Sequence, residues 1–369
     1  MIYLDHNATT PILPEALEAM TRALGATGNP GSVHRAGKQA RKLLEECREQ
    51  VANLLGASPD ETTFTSGATE SNNIALFGSL TTGCHAVATP IEHLCVVEPL
   101  KQLQKTGVAV TWTGVGSDGV VQVDDLIKSV RPDTALVALQ LVNHETGAIQ
   151  PVSDLVVRVP KTVRVHCDAA QAVGKVPVDF RQLGVGTLSA SAHKFRGPMG
   201  VGLLLVRSGT TLNPRAFGGH QQRGLRPGTE SVALAMGLTT ALVYAVEHQQ
   251  KQLAHLVTLR DGFRTIVMEA HPQAVVNSPA NALPGTLNIS FPGVRAELLL
   301  IALDLAGVAC STGSACSSGS LLPSPVLEAM HVGDARLHSA MRFSFGVAQP
   351  LEEVNEGARR VVEAVRRLG

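Results

Sequence analysis

The chain has 369 residues, enough for a large domain and a smaller one, each with its own hydrophobic core. Its 31 basic and 31 acidic side chains cancel. That removes any global electrostatic case for nucleic acid or an anionic membrane and leaves small molecules and other proteins as partners. No apolar run approaches a bilayer span, since LLLIALDLAGVA is broken by Asp304, and MIYLDHNATT lacks the basic and apolar regions of an export signal, so a cytoplasmic protein is expected. The cysteines at 47, 84, 95, 167, 310 and 316 show no regular or paired spacing, so neither disulfides nor a metal site is expected.

In chain order, a helix spans about 35 to 55, with Ala40, Leu44, Cys47, Val51 and Leu55 on one face and Gly56 as its stop. TTFT (62–65) leads into Ser66-Gly67-Ala68-Thr69 and a helical NNIALFGSL. Segments 85–89, 108–112, 135–142, 163–168, 187–192 and 201–206 have the β-branched or apolar composition of strands, several of them buried on both faces. Their alternation with helices predicts an α/β fold on a mainly parallel sheet, whose ligands collect at the carboxyl ends of the strands. From about 250 the pattern changes to a long polar helix, TLNISF, the helix AELLLIALDLAG, a Ser/Gly-rich loop, RFSFG and a last amphipathic helix. This second unit predicts a division into a large domain, 13–250, and a small one made of 1–12 and 251–369, with a loop at about 310–325.

Chemistry concentrates at three places. A strand followed by Gly67, Ala68, Thr69 and a helix has the layout in which free backbone amides and the helix dipole hold a phosphate, although the same residues also make an ordinary loop and N-cap. Asp168 closes the strand VRVHCD, where a carboxylate serves as a turn former or as the partner of a cation. Lys194, in SASAHKFRGPMG, stands among small and apolar neighbours at the end of the next strand. A buried lysine is costly unless its amine is put to chemical use. Phosphate cradle, carboxylate and amine together meet the needs of pyridoxal phosphate.

The ordered stretches YLDHNATTP, GNPGSVHRAG, TSGATESNN, IEHLCVV, NHETGAIQP, HCDAAQAVGK, SASAHKFRGPMGVG, RGLRPGTES, GTLNISFPG, STGSACSSGS and RFSFG resemble the NifS/IscS-like cysteine desulfurases over essentially the whole chain. These belong to the class V, fold type I, pyridoxal-phosphate enzymes. The resemblance implies that Lys194 forms the imine with the cofactor, that Asp168 pairs with its ring nitrogen, that Gln171 approaches its ring hydroxyl and that His93 stacks on the ring. It implies that Thr69, Ser191 and His193 hold the phosphate with the Gly67 and Ala68 turn, joined by Thr229 from the other subunit of a homodimer.

The same resemblance makes Cys316 the thiolate that takes sulfur from L-cysteine as a persulfide, leaving L-alanine, and passes it to an acceptor or an iron–sulfur scaffold protein. Its Ser/Gly-rich setting suits a group that must move, and His93 is a candidate proton carrier. Arg342 in RFSFG would grip the substrate carboxylate through its planar fork. Other class V reactions, such as selenocysteine lyase, another C–S lyase or aminotransferase, and a non-catalytic sulfur-trafficking protein are the alternatives. The sequence departs from the family at His144, where a second asparagine contacts cofactor and substrate, and at Ala192, Pro227 and Val347. Cys310 adds a thiol close to Cys316, as a strand residue facing the core.

Overall fold

The computed structural model describes residues 1–312 and 323–369. The strands among them are β1 (Ile2–Tyr3), β2 (Thr62–Thr65), β3 (His85–Ala88), β4 (Ala109–Trp112), β5 (Thr134–Ala138), β6 (Arg164–Asp168), β7 (Thr187–Ser191), β8 (Gly202–Val206), β9 (Val275–Val276), β10 (Thr286–Ser290), β11 (Val308–Ala309) and β12 (Ala340–Ser344). Seven form one sheet in the order β2-β8-β7-β6-β5-β3-β4. From β7 to β4 every pairing is parallel, as the alternation of strands and helices predicts. β8 runs antiparallel to both β7 and β2. The chain between Ser191 and Gly202 is too short for the crossover a parallel partner needs, so it returns as a hairpin.

The strands alternate their faces with period 2. Val137, Val165, Leu188, Leu203 and Leu205 pack with Leu44 and Val51 of helix Arg35–Leu54 and with Leu238 and Leu242 of helix Val232–Glu247. Ala86, Ala88, Leu136 and Ala138 pack with Leu76, Val96 and Leu100 of helices Ala68–Ser79 and Leu94–Lys105 and with Leu80, which ends the first of them. The strand expected over 135–142 ends at Ala138, yet the N–H groups of Leu139 and Leu141 still bond to the carbonyls of His166 and Asp168. Asn143 then turns the chain, its Oδ1 accepting from the N–H groups of Glu145 and Thr146 at 2.9 Å.

A separate core gathers on the sheet β12-β10-β9. Phe263 of helix Gln249–Ala270 lies with its ring centroid 4.8 Å from that of Phe343 and 5.4 Å from that of Phe345. Helix Leu351–Leu368 adds Val354, Ala358, Val361 and Val365. Ile2 and Leu4 belong to this core as well, because β1 pairs with β11. From there Asp5–Ala8 leads directly to the main sheet. Among the described residues no helix is long and apolar enough to cross a membrane.

Candidate functional site

The carboxyl ends of β6 and β7 open side by side onto a cavity of about 370 Å³. Gly67, Ala68, Thr69, His93, His144, Asp168, Gln171, Ser191, His193 and Lys194 all line it. On one wall no side chain among the described residues caps helix Ala68–Ser79, so its first-turn amides and the positive end of its dipole are available to an anion. The turn before that helix lies hard against β8. A Cβ on Gly202 would come within 2.5 Å of Gly67 Cα and 2.6 Å of the Ala190 carbonyl, so only glycine permits the approach. Glu70 secures the turn by accepting from the Ser66 N–H, and pairs with Arg226 at 3.3 Å.

Asp168 is 5 % exposed. Its Oδ1 accepts from the Ala170 N–H at 2.9 Å and its Oδ2 from Asn72 Nδ2 at 2.8 Å. The Asn72 oxygen faces His166 Nε2 at 2.9 Å, and His166 Nδ1 faces the Thr187 hydroxyl at 2.8 Å. A carboxylate only accepts, so it fixes the Asn72 amide, which in turn places the His166 proton on Nε2. Burial, opposed by Asp168, pushes His166 down to about 4 and keeps it neutral. The chain therefore delivers donors, not charge, to Asp168.

Lys194 sits in the tight turn Ala192–Phe195, which Arg196 closes in the left-handed region at φ 68°. Its Nζ donates to the carbonyls of Asn7 at 2.6 Å and Ala8 at 2.9 Å. Burial first, then Lys194 and Lys175, push His193 down to about 4. His93 is the N-cap of helix Leu94–Lys105, its Nδ1 accepting from the Cys95 N–H at 3.2 Å. Burial lowers its pKa, with Asp168 opposing and Lys194 and Arg342 adding. The His144 ring stands edge-on to that of His93 at 5.1 Å, and its Nδ1 is buried without a hydrogen-bond partner among the described residues. Burial, then His93, Arg342 and Lys194, hold His144 well below its ordinary pKa. Beside it Glu145 is pushed up to about 7 by burial, which the Ser324 hydroxyl and Arg342 oppose.

The cavity thus brings together all the residues expected from the sequence except three. Arg342, 3 % exposed, stands one contact away, donating from Nη1 to the His144 carbonyl at 3.2 Å and from Nη2 to Asp5 at 2.7 Å. Thr229 is exposed and does not line the cavity. Cys316 lies outside the described residues. Cys310 packs partly buried against the second core, and burial pushes its thiol up to about 12. Asn7, which is not among the site residues expected from the sequence, holds Lys194 and Gln171 through its carbonyl and donates from Nδ2 to the His144 carbonyl at 3.2 Å. Its presence in the quoted YLDHNATTP is the only signal the sequence offers for it.

The family model for aminotransferase class-V matches residues 2–356. The chain belongs to this family. Among class-V relatives, the cysteine desulfurase IscS of Dictyoglomus turgidum is 41% identical, the match covering 100% of this chain and 96% of that one. The solved structure of a NifS-like protein superposes with a TM-score of 0.92 at 37% identity, covering 100% of both chains. A structure of SspA in complex with cysteine has a TM-score of 0.82 at 31% identity, covering 94% of this chain and 99% of that one. The class-V fold type I arrangement expected from the sequence is the one observed.

Proposed function

We propose that the chain is a cysteine desulfurase that uses pyridoxal 5'-phosphate to convert L-cysteine to L-alanine. One observation carries the reading: an uncapped helix N terminus, a buried carboxylate and a lysine amine line one cavity where β6 and β7 end. The residues fit that cofactor. Gly67, Ala68, Thr69, Ser191 and His193 supply phosphate donors, Asp168 an acceptor for a protonated ring nitrogen and Lys194 the amine for the aldehyde, while the unpartnered His144 Nδ1 leaves a polar group for cofactor or substrate to meet. The partner subunit's Thr229 joins the phosphate site in a homodimer.

Bound there, pyridoxal phosphate supplies an electron sink that labilises bonds at Cα and Cβ of an amino acid. The chain's own groups do the rest. Arg342, whose Nε is buried with no partner among the described residues, offers its fork to the substrate carboxylate. Lys194 takes the Cα proton, and His93 carries protons between substrate and thiol. The Cys316 thiolate forms an S–S bond with the substrate sulfur as the Cβ–S bond breaks, and the carbon left behind takes a proton and departs as alanine. The sulfur then passes to an acceptor or an iron–sulfur scaffold protein. Residues 13–250 form the cofactor domain and 1–12 with 251–369 the small domain of a cytoplasmic enzyme.

The test is the visible spectrum of the purified protein, followed by alanine and sulfide assays with L-cysteine. Wild-type protein absorbs in the visible and yields both products. Lys194→Ala loses that absorbance, and Cys316→Ala keeps it while sulfide release disappears. Undiminished sulfide release from Cys316→Ala, or a keto acid in place of alanine, refutes the assignment in favour of another class-V reaction.

A further inference from the structure

Gln171 and Lys175 follow β6, separated by a turn at Gly174 (φ +77°), where a Cβ would meet Phe195 Cβ at 2.5 Å. Lys175 Nζ donates to Gln171 Oε1 at 2.6 Å and to Asn7 Oδ1 at 3.3 Å. Gln171 Nε2 donates to the Asn7 carbonyl at 3.0 Å. An ammonium has donors and no acceptor, and a main-chain carbonyl has only lone pairs, so both neighbours demand the same orientation of the Gln171 amide. Turned over, it would set an NH2 group against the lysine and one carbonyl oxygen against another. Gln171 is 6 % exposed and lines the site cavity, whereas Lys175 lines a second cavity that shares Lys194 with it. With Oε1 turned to the lysine and one Nε2 hydrogen held by Asn7, the second Nε2 hydrogen is the donor the side chain has left to offer.

We propose that Lys175 is a positioning residue that fixes Gln171 as a hydrogen-bond donor toward the oxygen on the cofactor ring. The inference rests on the cofactor assignment above. Lys175 touches neither cofactor nor substrate and acts through the Gln171 amide. Burial first, then Lys194 and Arg342, lower Lys175 to about 7, so the experiment is run at pH 6, where it is an ammonium.

Cofactor-free protein is titrated with pyridoxal 5'-phosphate and with its 3-deoxy analogue, which lacks the ring oxygen. Lys175→Met lowers affinity for the first about tenfold, the worth of one charge-assisted hydrogen bond, and leaves the second unchanged; Lys175→Arg, also donor-only, restores the wild-type pattern. Any other pattern overturns the proposal, above all an equal loss for both ligands, which is the mark of a purely structural lysine. If Lys175→Met does not fold, Gln171→Glu replaces it: its carboxylate has no hydrogen to give, and the same selective loss is expected, an equal loss again overturning the idea. Wild-type protein that binds neither ligand refutes the cofactor assignment instead.

Discussion

Gly202→Ala adds one methyl group, yet that group lands 2.5 Å from Gly67 Cα and 2.6 Å from the Ala190 oxygen. Both neighbours are backbone, one in the turn before helix Ala68–Ser79 and one in β7, so no rotamer relieves the clash. Restoring ordinary contact takes a displacement of about 1 Å. Overpacking of this kind costs about 1–3 kcal/mol of stability. The larger effect falls on function, because the turn that moves carries the amides assigned to phosphate while Asp168 stays at the end of β6 and Lys194 in the turn after β7. Cofactor affinity should fall at least tenfold and turnover about a hundredfold. Thermal unfolding and titration of cofactor-free protein with pyridoxal phosphate measure the two separately. Leu205→Ala, a fully buried position further along β8, is the control: it should lose about 2–5 kcal/mol and keep its cofactor affinity. A Gly202→Ala protein that binds pyridoxal phosphate within a factor of two of wild type refutes the reasoning.

Further expectations concern charge. Burial raises Glu92 from 4.5 to about 8, so the folded protein holds a proton that the unfolded chain releases between those values, and stability falls as pH rises across that window. Glu92→Gln should therefore unfold at a higher temperature than wild type at pH 9 and show no such gain at pH 4, with a difference growing by up to about 1.4 kcal/mol per pH unit between. Arg48 is buried and donates to the Thr62 carbonyl at 2.7 Å and to Gln222 Oε1 at 3.0 Å. Arg48→Met takes one donor from each acceptor, leaving the Thr62 carbonyl to Arg223 and Gln222 Oε1 to the Phe64 N–H, and should cost about 1–3 kcal/mol in urea unfolding; no measurable loss would show that the remaining donors suffice. Asp5→Asn weakens the 2.7 Å clamp on Arg342, and steady-state kinetics should show KM for L-cysteine raised about tenfold with kcat nearly unchanged. A fall in kcat alone would move Asp5 from holding the substrate grip to the chemistry itself.

Local pattern made much of this molecule legible before any coordinates. Asp168 and Lys194 stand at the ends of apolar strands, and the Gly67 turn stands between a strand and a helix, so each could be placed by its flanking periodicity alone. β8 also had the composition of a buried strand, but its direction is set by the length of its connection to β7, which composition does not express. The arrangement around Asn7 was hidden for a different reason. Its partners Lys175, Lys194, Thr286 and Ser344 are brought together only by tertiary folding. Nothing in the residues beside Asn7 distinguishes a side chain with such distant neighbours from one in an ordinary loop. His93 showed the reverse: its ring serves as a helix cap, a local role, while also lining the cavity assigned to the cofactor.

The link from Asp5 to Arg342 has a bearing on biosynthesis. Arg342 follows Lys194 and its Asn7 and Ala8 carbonyls far along the chain, so a nascent polypeptide can assemble the main sheet before the guanidinium that faces Asp5 has been synthesised. The contacts around Asp5 and the His144 carbonyl are thereby completed only once Arg342 has emerged, and a product terminated before it would carry Lys194 without them.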